Sequence, residues 1–280
     1  MPLTTTGELV TRAHAARSAV AAFNIITLEH VEAVIDGAES AGAPVVLQVS
    51  ENAVAYRRGQ LLPLARAAAA AAERAAVPVA LHLDHVQSDP LLRRAADAGF
   101  SSVMYDASRL PYEENLAATR AAVDLAHARG LWIEAELGEI GGKGAHAPGA
   151  RTDPAEARAF VADSGVDALA VAVGSVHAMT TRTAVLDHNL LERLRTALDV
   201  PLVLHGSSGV PDRELTAAVT GGIAKVNIGT ALNQAMTGAI REHLGAHPDA
   251  VDARTYLSAG REAMARTVER IVTGVGLIPA

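Results

Sequence analysis

The chain has 280 residues, of which 50% are hydrophobic, 3% aromatic and 20% charged, with a formal net charge of −7. That length suits one large domain with an ample core, and an acidic chain so poor in aromatic rings offers nucleic acid neither a basic face nor a stacking platform. Cysteine is absent, which excludes a disulfide framework and thiolate metal ligation and leaves His, Asp and Glu as the available metal ligands.

The chain opens without the basic region and apolar segment of a secretion signal. Residues 6–18 are amphipathic and are expected to form a helix that caps the bottom of the fold. Eight β-rich apolar runs follow in order: "VAAFNI", "PVVLQVS", "VPVALHLDH", "SSVMYDAS", "LWIEAELG", "ALAVAVGS", "PLVLHGSS" and "KVNIGT". Each is succeeded by a longer segment of helical character. Continuous rather than alternating apolar runs fit parallel strands covered on both faces.

The Ala-rich segment "ARAAAAAAERAA", between the second and third runs, is interrupted by Arg66, Glu73 and Arg74 and is too short and charged to span a bilayer. The expectation is a cytoplasmic protein with no membrane or nucleic-acid partner. Helix starts are signalled by Ser88-Asp89-Pro90 before "LLRRAADAGF", by Asp153-Pro154 and by Pro211-Asp212, and helix stops by Gly99, Gly165 and Gly221. Eight βα units predict a (β/α)8 barrel, a single domain over residues 1–280 with an N-terminal capping helix. A doubly wound sheet is the alternative, but no Gly-rich fingerprint follows the first run.

In such a barrel the carboxyl ends of the strands face the active site. Here those ends are polar: Asn24, Ser50, Asp84 with His85, Asp106, Glu134 with Glu136, Ser175 with His177, His205 with Ser207 and Ser208, and Asn227 with Thr230. His85, His177 and His205 follow three different runs, so three imidazoles could meet above the barrel as a zinc-type site requires. A lone histidine is more often a satisfied structural group; three at matching strand ends beside carboxylates point to metal. "LVLHGSSG" and "VNIGT" are rich in Gly, Ser, Thr and Asn, which suits a phosphate held by backbone N–H groups and a helix N-terminus as well as it suits ordinary tight turns.

With these motifs in this order, the sequence resembles the class II ketose-bisphosphate aldolases, the zinc-dependent family that acts on fructose- and tagatose-bisphosphate. The resemblance runs from "AAFNI" through "HLDH", "SVMYDAS", "EAELGEIGG", "VAVGSVHAM", "LVLHGSSGV" and "KVNIGT" to "DARTYLSAG". It implies that His85, His177 and His205 bind a catalytic Zn2+, and that Asp106 and Glu136 stand beside the metal or serve as alternate ligands, Glu134 being the lesser candidate. Asp84 matches the residue that handles the proton of the C4 hydroxyl. Gly206, Ser208, Asn227, Gly229 and Thr230 match the dihydroxyacetone-phosphate end, where a monovalent cation (Na+ or K+) commonly assists. Ser50 and Arg254 match positions at the other phosphate, the Arg arriving from a neighbouring subunit of a homodimer or homotetramer, and Asn24 matches a further substrate position.

The implied chemistry is reversible aldol cleavage of a ketose 1-phosphate or 1,6-bisphosphate to dihydroxyacetone phosphate and an aldehyde. Zinc acts as the Lewis acid, so no Schiff-base lysine is needed; Lys143 and Lys225 are the only lysines. Three departures stand out. The loop "GGKGAHAPGARTDP" carries Lys143 and Gly144 where the family usually places an acidic residue that exchanges the C3 proton, which makes His146 the leading substitute, with Glu139 and Asp153 behind it. Ala178 replaces the usual Gly after the second histidine, and Gly229 and Ala231 stand where fructose-bisphosphate enzymes tend to carry Asp. The alternative function is a non-catalytic zinc-containing protein that binds sugar phosphates and has lost the proton-transfer loop.

Overall fold

The computed structural model of the protein describes residues 2–137 and 151–274. The eight β-rich runs become eight parallel strands of a closed barrel, joined in chain order. They are β1 (Val20–Asn24), β2 (Val45–Ser50), β3 (Val79–Val86), β4 (Ser102–Tyr105), β5 (Trp132–Glu136), β6 (Ala168–Ala170), β7 (Leu202–Leu204) and β8 (Ile223–Ile228). β8 returns to β1 with Val20 opposite Lys225 and Phe23 opposite Ile228. β6 is shorter than its apolar run: after Ala170 the chain leaves the sheet, and it turns at Gly174, whose φ is 122°.

Successive side chains on a strand alternate between faces. Outward residues such as Phe23, Leu47, Leu81, Leu83 and Ile133 pack under the helices in one large core. Inward residues at the base, Val20, Ala22, Val46, Ala80 and Ala224, pack against Leu9, Val10 and Ala13 of α1 (Thr6–Ala15). The amphipathic N-terminal segment is therefore the expected plug. Its first turn is closed by a reciprocal capping box between Thr5 and Glu8, which satisfies two otherwise orphaned N–H groups. Above this apolar floor the barrel interior becomes polar, with Gln48, His82, Glu134 and Lys225 all fully buried.

The outer ring is α2 (Leu28–Ala41), α3 (Glu51–Tyr56), α4 (Leu62–Ala72), α5 (Asp89–Leu92), α6 (Tyr112–His127), α7 (Pro154–Ser164), α8 (His188–Ala197), α9 (Asp212–Thr220), α10 (Thr230–Ala246) and α11 (Ala253–Gly274). Asp153 caps α7 through the N–H groups of Ala155 and Glu156, and Gly165 ends it in the left-handed conformation. The helix expected over "LLRRAADAGF" is instead the single turn α5 followed by a 3-10 turn at Ala96–Ala98. That broken path lets Leu91, Leu92, Ala95, Ala98 and Phe100 all enter the core within ten residues, more than one face of a regular helix would bury. Among the described residues no helix is long and apolar enough to cross a membrane.

α11 lies across α2, and the approach depends on Gly37. A Cβ there would fall 2.5 Å from the carbonyl oxygen of Ala265 and 2.7 Å from Cβ of Val268. Helix backbone cannot yield at such a contact without shifting α11, so Gly37→Ala is expected to cost about 1–3 kcal/mol of unfolding free energy by overpacking, measured by urea denaturation. An unchanged midpoint would show that the two helices can part at no cost.

Candidate active site

Asp84 and His85 are consecutive, yet both line the cavity at the carboxyl end of the barrel. A regular strand would send them to opposite faces. The pairing of β3 with β4 slips between Leu83 and Val86, and His85 takes up the extra residue at φ 50°. This is a bulge, and it re-aims one side chain; His tolerates the left-handed region better than most residues.

His85, His177 and His205 then converge. Their ring centroids lie 5.2, 5.0 and 5.6 Å apart, and the rings stand nearly edge to face. One ligand-capable atom from each, together with one from Glu136, falls within 4.8 Å of all the others. Nδ1 of His205 is buried, makes no hydrogen bond and stands 3.5 Å from Oε2 of Glu136. Buried polar atoms left in that state cost free energy that a shared cation would recover. Three imidazoles and a carboxylate, with no thiolate, suit zinc or a similar divalent ion.

The surrounding groups orient this cluster. Asp106 Oδ2 accepts from Nδ1 of His85 at 2.8 Å, and Ser108 donates to the other oxygen of Asp106. Asp106 is therefore one step behind the cluster, in contact with a ring rather than among the converging ligand atoms, and its bond leaves Nε2 of His85 to face inward. Burial would raise the Asp106 carboxyl, but His85 and Ser108 hold it well below the usual carboxylate range. Glu134 is wholly buried, 2.8 Å from Nε2 of His205 and 2.8 Å from Nζ of Lys225.

Asp84 sits beside the cluster. Its Oδ2 accepts from the Asn24 amide at 2.9 Å, and Asn24 Oδ1 accepts from Gln48 at 3.0 Å, while Oδ1 of Asp84 is buried without a hydrogen bond. Burial pushes its carboxyl up, but the neighbouring His85 and the Lys225 ammonium outweigh that and keep it far below the ordinary range. An ionised carboxylate with one free lone-pair face is the form that accepts a proton.

The cavity, about 180 Å³, is walled on its far side by the turns after β7 and β8. Gly206 adopts φ 66°, and a Cβ there would strike the Val176 backbone at 2.6 Å, so this turn admits only glycine. Ser208 Oγ accepts the Ala231 N–H at 3.2 Å, and Gly229 and Thr230 open α10 into the cavity. Ala178 lines it at φ 59°, a conformation that costs alanine about 1–2 kcal/mol and that explains why glycine is the usual residue there. Ser50 lines the cavity while its hydroxyl oxygen accepts the Ala53 N–H at the start of α3.

Most of the expected site residues are thus brought together: Asn24, Ser50, Asp84, His85, His177, Ala178, Gly206, Ser208, Asn227, Gly229 and Thr230 all line one cavity. His205 and Glu136 lie buried at its floor. Arg254 is apart from it, exposed on α11 and paired with Asp252. Asp153 is committed to capping α7. Glu139, Lys143, Gly144 and His146 lie outside the described residues. Asn233, one turn into α10, and Ile26 also line the cavity; neither ends a strand, so strand-end reasoning passes over both. Lys225 does not open the last strand as its run suggested but lies two residues into it, and it is absent from the cavity wall, as a lysine with no Schiff-base role would be.

A (β/α)8 barrel whose mouth gathers three histidines, a carboxylate, an adjacent Asp and Gly/Ser-rich turns is the arrangement of a metal-assisted aldolase. The family described as "Fructose-bisphosphate aldolase class-II" matches residues 4–277, and the chain belongs to it. The fructose-bisphosphate aldolase of Geobacillus stearothermophilus is 39% identical over 272 residues, covering 96% of this chain and 95% of that one. That of Staphylococcus aureus (strain Mu50) is 38% identical over 273 residues, 96% of each. The crystal structure of the YdjI aldolase from Escherichia coli K12 superposes with a TM-score of 0.87 at 34% identity, covering 98% of this chain and 97% of that one. The protein is accordingly a class II aldolase, a carbon–carbon lyase, which weighs against the non-catalytic alternative.

His82 lies inside the barrel beneath this site. Its Nδ1 meets Ser102 Oγ at 2.7 Å, and Ser102 donates to Thr6 of α1, also at 2.7 Å. Burial, then the nearby Lys225 charge, lowers its pKa to about 3. Above pH 6.5 neither the folded nor the unfolded state protonates it. Below 6.5 the unfolded chain takes up a proton that the folded state refuses until about pH 3, so stability falls with pH across that window. His82→Gln can keep the bond to Ser102 without the proton uptake. Its deficit in unfolding free energy relative to wild type is expected to shrink by about 1–2 kcal/mol from pH 7.5 to pH 5; a pH-independent deficit would contradict a neutral His82.

Proposed function

We propose that this aldolase is zinc-dependent and reversibly cleaves a ketose 1-phosphate or 1,6-bisphosphate, fructose- or tagatose-like, to dihydroxyacetone phosphate and an aldehyde. The observation that carries this reading is the convergence of His85, His177, His205 and Glu136 next to Asp84. His85, His177 and His205 would hold the metal, with Glu136 as the carboxylate ligand. When bound, a divalent ion at this position supplies Lewis-acid stabilisation of the negative charge that develops on the ketose oxygens.

The protein side chains supply the rest. Asp84 takes the C4 hydroxyl proton as the C3–C4 bond breaks and C4 becomes the aldehyde carbon, and returns it in condensation. Asn24 holds Asp84 in place through its amide. The Gly206–Ser208 turn and the N-terminus of α10 at Gly229 and Thr230 suit the phosphate, where backbone N–H groups and the helix dipole favour an anion; Na+ or K+ would assist there. Asn227, which lines the same cavity, would sit near the metal and the substrate. The electron pair left at C3 must be protonated to give dihydroxyacetone phosphate, and His146 is our candidate donor. Arg254, exposed on α11, fits a role at the second phosphate of a neighbouring subunit in a homodimer or homotetramer. The carbohydrate chemistry of the family fits a cytoplasmic enzyme.

Release of dihydroxyacetone phosphate from a panel of ketose phosphates is expected to stop on chelation and to return with zinc. His205→Ala is expected to abolish tight zinc binding, and full activity in a demonstrably metal-free variant would exclude the reading. Asp84→Ala is expected to keep the metal and lose cleavage by roughly a hundredfold to ten-thousandfold; loss of the metal would make Asp84 structural instead.

The loop is tested separately. With no glutamate at the usual place, exchange of the C3 proton of dihydroxyacetone phosphate with deuterated water is expected to be slower than cleavage measured by oxidant trapping, and slower again in His146→Ala. Rapid exchange in both proteins would assign the proton to another group.

A further inference from the structure

Lys225 is one of two lysines in a chain with 24 basic residues, and it is fully buried. Its Nζ lies 2.8 Å from Oε2 of Glu134, and Oε1 of the same carboxylate lies 2.8 Å from Nε2 of His205. None of the three side chains has any exposure. Nδ2 of the Asn227 amide lies 3.0 Å from the same His205 nitrogen, a donor that competes with Glu134 for that atom, whereas the opposite nitrogen, Nδ1, makes no hydrogen bond and looks toward Glu136.

A one-residue slip in the pairing of β7 with β8 sets this up. Leu202 stands opposite Ile223, but Val203 stands opposite Lys225. Ile223 packs outward with the helices and Ala224 inward with the basal layer, after which Lys225 and Asn227 share the inner face. The bulge thus rephases β8 so that a lysine enters the barrel.

A buried ion pair of this kind adds little net stability, because desolvating both charges offsets their attraction. Its value lies in direction. A compact ammonium engages one carboxylate oxygen and leaves the other, whereas an arginine fork would take both in a bidentate pair. Since a carboxylate is only an acceptor, the oxygen that remains can hold His205 only through an N–H on Nε2.

We propose that Lys225 is a positioning residue for the metal site: by holding Oε2 of Glu134 it leaves Oε1 to grip Nε2 of His205, which turns Nδ1 of that ring to face the metal. The inference rests on the metal-dependent reading given above. With the Lys225 ammonium 2.8 Å from one oxygen and the His205 ring 2.8 Å from the other, Glu134 is placed as an acceptor at both ends.

Lys225→Met alone would strand a buried carboxylate, so the informative variant is Glu134→Gln/Lys225→Met, which removes both charges at similar volume. It is expected to fold with a thermal midpoint equal to or above that of wild type, yet to bind zinc roughly tenfold to a hundredfold more weakly in chelator competition, with an altered visible spectrum when loaded with cobalt(II). Zinc binding as tight as wild type would reduce the pair to packing and overturn the inference. Failure of wild type itself to bind zinc would overturn the metal reading as well, and is read without any variant. In metal-free wild type, nitrogen-15 spectra of labelled histidines, assigned by the signal lost in His205→Gln, are expected to show His205 with its proton on Nε2. A proton on Nδ1 would overturn the inference whether or not the double variant folds.

Discussion

A parallel barrel strand can send only every second side chain inward, and the whole site is a response to that limit. The chemistry asks for Asp84 and His85 side by side, and for Lys225 and Asn227 on the inner face of a strand whose first residue faces out. Both demands are met by a one-residue slip in strand pairing, between Leu83 and Val86 on β3 and between Ile223 and Lys225 on β8. A bulge costs a ladder hydrogen bond and bends the strand, so it needs a rigid frame around it. That frame is the outward set of each strand, which stays in phase and packs under the helices.

The second constraint is charge. Glu134 and Lys225 are fully buried, and Glu136 and Asp84 are nearly so, with three histidines around them. Each carboxylate inside is matched. Glu134 faces Lys225 and His205, Asp84 faces the Asn24 amide, and Glu136 faces Nδ1 of His205. Below them Thr6, Ser102 and His82 form a hydrogen-bonded stack that ties the capping helix to the polar layer. The base of the barrel is therefore more than an apolar stopper. It fixes the orientation of the layer on which the site rests, and at neutral pH it does so without adding a charge.

Legibility from the sequence followed the same division. The eight strands and the plug were readable because apolar runs and amphipathic spacing are local properties. The strand-end histidines were readable because fold class alone says where strand ends point. Glu134 ranks below Glu136 because adjacency cannot distinguish a carboxylate that converges with the three histidines from one that bonds His205 and Lys225 from behind. Lys225 looked like the start of a strand, since nothing in "GGIAKVNIGT" marks where β8 shifts its phase. Asn233 belongs to a helix, and it reaches the cavity because the first turn of α10 starts there. The break of "LLRRAADAGF" into short turns is set by the core it fills rather than by helix propensity, which is high from Leu91 to Ala96.

The composition of the cavity wall constrains where protons can go. Among the described residues that line it, the only titratable ones are Asp84, His85 and His177. Two of these are imidazoles of the converging cluster, and a histidine that donates its lone pair to a metal cannot also act as a base through that nitrogen. On the proposed reading Asp84 would then be the one proton carrier among these lining residues, engaged at C4. An aldol cleavage moves protons at two carbons, so a second carrier has to come from outside this wall. Glu139 and His146 belong to the segment between β5 and α7, and β5 also delivers Glu134 and Glu136. One strand would in that case hold the metal ligand, orient a second ligand and lead directly into the chain that supplies the other proton. Loop and floor can then vary independently. On the proposed reading, a change such as Lys143–Gly144 in the loop would alter protonation at C3 and leave untouched the bulges and buried charges around the histidine cluster.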